Sequence, residues 1–247
     1  MQADPSVSEH YRKSAGVRSA LTRAVPIFFS ARLVAVVFLP LLGAAIAWVL
    51  IAWLSWTPLV HWLATTLFSW SGKFGEVAAG VLAAVILMLA AVSTALIAIA
   101  LLAMPVIVEL VAKREFPTLE RRRGGTFAGS LFNALRATLT FLMLWLLILP
   151  LLLFPPAYIA ANLLLNANLN RRLLPYDALA EHADSRELDA VRRQAGKRLF
   201  RLGLCIAPLS LVPVVNLFAS LFAGVAFTVM SLDELATMRG RTTGQAR

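Results

Sequence analysis

One cysteine stands in 247 residues, Cys205, and it lies inside an apolar run. That count alone excludes an intrachain disulfide and any cysteine-based metal cluster. The three histidines, His10, His61 and His182, are far apart along the chain, so no metal site and no cofactor is expected. Charge is scarce as well. Only 15% of the residues are Asp, Glu, Lys or Arg, against about 25% in an ordinary soluble domain. Residues 33–72, 77–108, 137–170 and 202–232 have none at all, in runs of 40, 32, 34 and 31 residues. These runs fill more than half of a chain that is 60% hydrophobic. A soluble globular enzyme, a disordered chain and a disulfide-rich secreted domain are excluded. An all-α integral membrane protein remains.

The catalytic signatures are missing too. There is no H-E-x-x-H, no Walker lysine loop and no G-x-S-x-G. The apolar runs hold no Asp, and their one histidine is His61, so the groups of an intramembrane protease are absent. The sequence reads as a non-enzyme. Its formal charge of +10 does not indicate a nucleic-acid partner, because membrane proteins keep Lys and Arg on the cytoplasmic side. The first 32 residues carry seven charges, Asp4 and Glu9 among them, and no short apolar core. No cleavable signal peptide is expected.

Lengths and flanking charges predict the topology. A helix needs about 20 apolar residues to cross roughly 30 Å of hydrocarbon. Residues 33–56 read as a first spanning helix, with Trp48, Trp53 and Trp56 as an aromatic belt near its end. Residues 57–76, with one Lys and one Glu, read as a short periplasmic connection. Residues 77–104 form a second spanning helix, continued by a cytoplasmic extension over 105–123. The runs 137–170 and 202–232 are interrupted by Pro150, Pro155 and Pro156 and by Pro213. Proline removes a donor and clashes with the preceding turn. The arms on either side are 11 to 16 residues, too short to cross. Both runs read as re-entrant helical hairpins, the second turning at Pro213–Asn216; four spans with kinked helices are the alternative. Re-entrant hairpins leave every basic segment in the cytoplasm: 1–32, 109–136, 170–201 and the tail ending in 241–247. Within 171–201, Asp184 and Glu187 fit a capping box. Leu188, Val191, Ala195 and Leu199 make one apolar face, and Asp189 and Arg193 are spaced for an ion pair.

Polar residues inside the apolar runs are the functional candidates, because such groups are costly in hydrocarbon and face the protein interior. Tyr158, Asn162 and Asn166 recur every four residues, with Asn168 and Asn170 beyond them. Asn216, Ser220, Gly224 and Thr228 recur likewise. Asn can donate to an oxyanion without placing a charge in the membrane. The Ser220–Gly224–Thr228 face reads instead as helix packing. Arg32, Arg136 and Arg201 stand immediately before apolar runs. A guanidinium offers a fork of donors suited to sulfate, phosphate or carboxylate, though a basic flank is also what orientation in the membrane requires.

The order of these parts resembles the CysZ-like membrane proteins, which share a domain with the eukaryotic etoposide-induced membrane protein. The resemblance spans residues 15–240. Ser30-Ala31-Arg32 followed by Phe38-Leu39-Pro40-Leu41-Leu42 is similar to the family's Gly-x-Arg and Leu-Pro-Leu-Leu, with Ser30 in place of the glycine. Ala103-Met104-Pro105 with Glu109 and Glu115 is similar to its Ala-Pro end of the second helix, with Ile107-Val108 where Asn-Gly is usual. Pro175-Tyr176-Asp177 and Val212-Pro213-Val214-Val215-Asn216-Leu217-Phe218 resemble its Tyr-Pro-Phe-Asp and Ile-Pro-Leu-Leu-Asn-Leu-Phe segments. The resemblance implies two spanning helices, two hemi-penetrating hairpins, homo-oligomeric assembly and sulfate uptake for cysteine synthesis. The expected protein is then a single membrane domain over 33–240 in the bacterial inner membrane, with both termini cytoplasmic. It would pass sulfate or a similar small anion, with Arg32, Arg136, Asn162, Asn166 and Asn216 as anion-binding candidates. A non-transporting membrane scaffold or assembly factor is the other function class.

Overall fold

Helices account for nearly all of the chain in the computed structural model, which describes residues 16–68, 72–122 and 124–245. They are α1 (Val17–Phe28), α2 (Ala31–Leu67), α3 (Gly72–Glu115), α4 (Phe127–Ile148), α5 (Pro155–Leu179), α6 (Ser185–Gln194), α7 (Gly196–Ile206) and α8 (Pro213–Gln245). Short 3₁₀ turns at Leu149–Leu153 and Ala207–Leu211 join α4 to α5 and lead from α7 toward α8. No strand occurs among the described residues. His10 and the start of the N-terminal segment, Trp70 in the 57–76 connection, Arg123 and the last two residues of the tail lie outside them. Among the described residues four segments are long and apolar enough to cross a membrane: Ala31–Leu67, Gly72–Glu115, Ala128–Leu153 and Phe218–Gly240. The chain is an all-helical membrane protein.

Ala31–Ala103 form one compact unit, made of α2 and most of α3. Here the expected boundary at residue 56 moves. α2 continues through Pro58 to Leu67, so much of the expected 57–76 connection is helix. A proline costs one bond and some strain but leaves the other bonds of the helix in place, and the helix carries on past it. Gly72, with φ 54°, then turns the chain into α3, a backbone region that glycine enters without steric cost. Leu63, Ala79 and Ala83 make the small buried core of this unit, and Trp48 Nε1 donates to Thr94 Oγ1 at 3.2 Å. Most other large apolar side chains face outward, Trp53 and Leu54 among them.

The second unit comprises the described parts of Met1–Ser30 and Met104–Arg247. Beyond Pro105, α3 stays helical to Glu115; residues 119–122 of the expected extension are irregular. Two antiparallel fold-backs follow. In the first, Asn133 Nδ2 near the start of α4 donates to the carbonyl of Arg172 near the end of α5 at 3.0 Å. Ser130 Oγ donates to Asp177 at 2.5 Å. The arms are longer than the apolar run suggested, 22 and 25 residues. Thr126 caps α4 by accepting from the Gly129 N–H, and α5 continues through Pro175.

In the second fold-back, Arg198 on α7 donates to Glu234 on α8 at 2.6 Å. The break falls at Ala207–Val212, not at Pro213–Asn216. Pro213 opens α8, a position where its missing N–H costs nothing. Asn216 therefore stands in the first turn of a helix with its side chain exposed, not in a buried turn.

The polar segments meet at one end of this unit. The capping box forms as expected: Asp184 Oδ1 accepts from the N–H groups of Arg186 and Glu187, and Glu187 accepts from Asp184 N. Leu188, Val191, Ala195 and Leu199 are all buried. Residues 171–201 are not one helix, however, but the end of α5, all of α6 and the start of α7. No ion pair joins Asp189 and Arg193 among the described residues. Arg239 grips both oxygens of Glu187, at 2.9 and 2.8 Å, and donates to the carbonyls of His182 and Glu120. Arg122 also reaches Glu187, and Arg23 bridges Glu115 and Asp233.

Candidate functional site

The asparagines of α5 form a ladder along one face. Asn166 Nδ2 donates to Asn162 Oδ1 at 2.8 Å and to the Asn162 carbonyl at 3.0 Å. Asn162 Nδ2 reaches Tyr158 Oη at 3.5 Å. The four-residue spacing makes these bonds, since residues i and i+4 are neighbours on a helix surface. They also use up donors. Asn170 is the next rung, and its amide bonds no other group among the described residues.

Where this ladder meets the second fold-back there is a cavity of about 70 Å³. Its polar lining is Asn166 and Asn170 from α5, Ser210 from the 3₁₀ turn, and Asn216 and Ser220 from α8. Ile206, Ala207 and Ala219 complete it. No charged residue lines it. The two hydroxyl protons point elsewhere: Ser210 Oγ donates to the Ala207 carbonyl at 2.7 Å, and Ser220 Oγ to the Asn216 carbonyl at 3.0 Å. These serines present lone pairs to the cavity. The Asn216 amide, like that of Asn170, has no bond among the described residues. Two free amides therefore supply the donors, in a setting without fixed charge.

Of the five anion-binding candidates, Asn166 and Asn216 come together at this cavity. Asn162 lies one turn away along the ladder. Arg136 is on α4, exposed, within the same unit, and Arg32 is exposed in the first turn of α2, in the unit Ala31–Ala103. Arg201, on α7, is exposed. Asn170 was legible as the next residue of the four-residue series. Ser210 was not, because its approach depends on the 3₁₀ turn. The Ser220–Gly224–Thr228 series divides. Ser220 lines the cavity. A Cβ on Gly224 would sit 3.1 Å from Ile107 Cδ1 and 3.8 Å from Met104 Sδ, so α8 and the end of α3 approach closely there. Thr228 is buried and returns its hydroxyl proton to the Gly224 carbonyl.

No group of three His, Cys, Asp or Glu side chains that could hold a metal occurs among the described residues. Compared with known families, residues 20–220 match the model described as Sulfate transporter CysZ/Etoposide-induced protein 2.4. No curated protein and no solved structure matches.

Proposed function

Because the chain belongs to the Sulfate transporter CysZ/Etoposide-induced protein 2.4 family, we propose that it is a permease of the bacterial inner membrane for sulfate or a similar small oxyanion, supplying assimilation into cysteine. One observation carries this reading: an uncharged cavity in apolar surroundings, lined by the free amides of Asn170 and Asn216. An anion that passes must shed water at a site that binds it enough to enter and weakly enough to leave. Neutral amides meet that condition, whereas a guanidinium at the same depth would hold the anion. Arg32 and Arg136 draw and orient the anion at the membrane boundary.

In this reading α2 and α3 cross the bilayer, and the α4–α5 and α7–α8 fold-backs are re-entrant. Their tips support it. Leu149–Phe154 carries no polar side chain, yet Leu153 is 92% exposed and Phe154 63%. Leu209, Leu211 and Val212 are exposed at the second tip. Such tips suit hydrocarbon, not the water beyond it. Both termini and the basic segments then face the cytoplasm, the 57–76 connection faces the periplasm, and the protein works as a homo-oligomer.

The test is uptake of labelled sulfate into proteoliposomes. The expected result is uptake above protein-free vesicles, abolished by Arg32→Gln and lowered by Asn170→Leu and Asn216→Leu. If the wild-type protein passes no small oxyanion, the scaffold reading takes its place. The close packing of Gly224 on Ile107 and the bonds that Asn162 and Asn166 make within their own helix favour that second reading.

A further inference from the structure

Arg136, Arg172 and Arg192 come from three helices, α4, α5 and α6, and Asn133 ties the Arg192 guanidinium to the Arg172 backbone one turn from Arg136. The Asn133 side chain donates to the Arg172 carbonyl at 3.0 Å and accepts from an Arg192 terminal nitrogen at 3.0 Å. That nitrogen is also 3.5 Å from the Arg172 carbonyl. Arg136 follows Asn133 by three positions, on the same side of α4. The Arg192 guanidinium lies over the Tyr176 ring, 5.9 Å from its centre.

Several arginines of this unit have carboxylates: Arg23 has Glu115 and Asp233, Arg198 has Glu234, and Arg122 and Arg239 share Glu187, while others, Arg186 and Arg193 among them, have none among the described residues. Arg136, Arg172 and Arg192 make no ion pair among the described residues. The guanidiniums of Arg136 and Arg172 also donate no hydrogen bond there. Asp177 is engaged by Ser130. Burial first, and then the like charges of Arg172 and Arg136, press the Arg192 guanidinium down from its ordinary value, against the pull of Asp189 and Tyr176.

Position adds a second constraint. Arg136 is the last residue before the charge-free run 137–170, and Arg172 comes two residues after it. The fold-back brings these flanks together through the Asn133–Arg172 bond, at the charged edge of the two apolar arms, which the proposed re-entrant reading sets at the membrane boundary. Gathering like charges in a half-buried place is unfavourable, and a tetrahedral oxyanion offsets it by accepting from several guanidiniums at once.

We infer that Arg136, Arg172 and Arg192 form a site for a phosphate group at the membrane–water boundary, supplied by an anionic phospholipid headgroup or by free phosphate. The site shares Arg136 with the proposed anion route, and none of its three arginines lines the amide-lined cavity.

Thermal unfolding of the full chain in nanodiscs tests it, with three arms: phosphatidylcholine alone, phosphatidylcholine with added inorganic phosphate, and phosphatidylcholine with phosphatidylglycerol. The expected result is a rise in the unfolding temperature over the first arm. A rise with phosphatidylglycerol alone identifies the lipid as source, and a rise with inorganic phosphate identifies the free anion. Arg136→Gln/Arg172→Gln removes two guanidiniums that bond nothing among the described residues, so folding should be retained. The amount of ligand needed for half the rise should increase roughly ten- to a hundredfold, the effect of losing a charge-assisted contact. The charge-matched pair Arg186→Gln/Arg193→Gln, on the exposed face of α6, should keep the wild-type response. No rise in either ligand arm overturns the inference. So does an unaltered response in Arg136→Gln/Arg172→Gln, or an equal loss in the control pair.

Discussion

Asn166 and Asn216 line the same cavity, yet only Asn216 has its amide free. Asn166 gives its donors to Asn162, so Asn166→Leu removes bonds worth about 1 kcal/mol net each and should lower the unfolding temperature. Asn216 is exposed and bonds nothing through its side chain among the described residues. Asn216→Leu should leave stability within about 0.5 kcal/mol of wild type while weakening stabilisation by sulfate; a comparable loss of stability in both variants would contradict the distinction. The sequence placed both residues on four-residue series but could not say which amide was already satisfied, since that depends on side-chain rotamers.

His182 offers a second test at this scale. It is buried, and its Nδ1 has no hydrogen-bond partner among the described residues. Burial, then the charges of Arg121 and Arg239 against that of Glu181, hold its pKa below the ordinary histidine value. A base whose folded pKa is depressed takes up its proton more readily when unfolded. Its stabilising contribution is full above about pH 6.5 and fades as the pH falls from there through the folded value. The unfolding temperature should therefore drop between pH 7.5 and 5.5, and His182→Gln should flatten that part of the profile.

The breaks between helices, more than the helices themselves, set the architecture. Pro150, Pro155 and Pro156 made the first break legible from sequence, and it falls at Leu149–Leu153 and Phe154. For the second break Pro213 misled, because a proline at the first position of a helix begins that helix as readily as it ends the one before. Pro58 misled in the opposite sense, lying inside a helix that continues, whereas Pro40 and Pro105 lie inside helices that were read as running through them. Proline marks a break where prolines cluster and the arms can fold back, not wherever it occurs. The loop before α4 shows the same dependence on what packs against it. The N–H groups of Gly124 and Gly125 donate to the carbonyls of Ala183 and Ala180 at 2.8 and 2.9 Å. A Cβ on Gly125 would sit 2.5 Å from Ala180 Cβ and 2.6 Å from its Cα. Backbone cannot yield as a side-chain tip can, so Gly125→Ala should cost about 1–3 kcal/mol, measured as a fall in unfolding temperature. At the hairpin tip, Leu153→Lys places a cation where the re-entrant reading puts hydrocarbon. It should reduce membrane-integrated yield, while a wild-type yield would put the tip in water.

Across the whole molecule, the number of crossings was the question that charge and length left open. The alternative of single kinked spans requires residues 109–136 and 170–201 to lie on opposite sides of the bilayer, separated by its thickness. Asn133 is instead bonded to the Arg172 carbonyl, and Arg122 to Glu187. A fold-back returns the chain to the side it left, whatever depth its tip reaches. In the proposed re-entrant reading the basic segments share a side, as the excess of Lys and Arg in the sequence suggests. Cysteine labelling reads that side directly. In a Cys205→Ala background, Arg186→Cys samples an exposed position at the polar end and Lys73→Cys an exposed one beside the α2–α3 connection. Arg186 replaces the more obvious His182, whose side chain is buried and would resist reagent from either side. With an impermeant thiol reagent on intact spheroplasts, Lys73→Cys should label at once and Arg186→Cys only after lysis. Labelling of Arg186→Cys in intact cells, with Lys73→Cys protected, would invert the orientation and with it the direction of the proposed uptake. Labelling of both from outside would replace the re-entrant first fold-back by a single crossing, because four kinked spans put the α2–α3 connection and residues 170–201 on the same outer side.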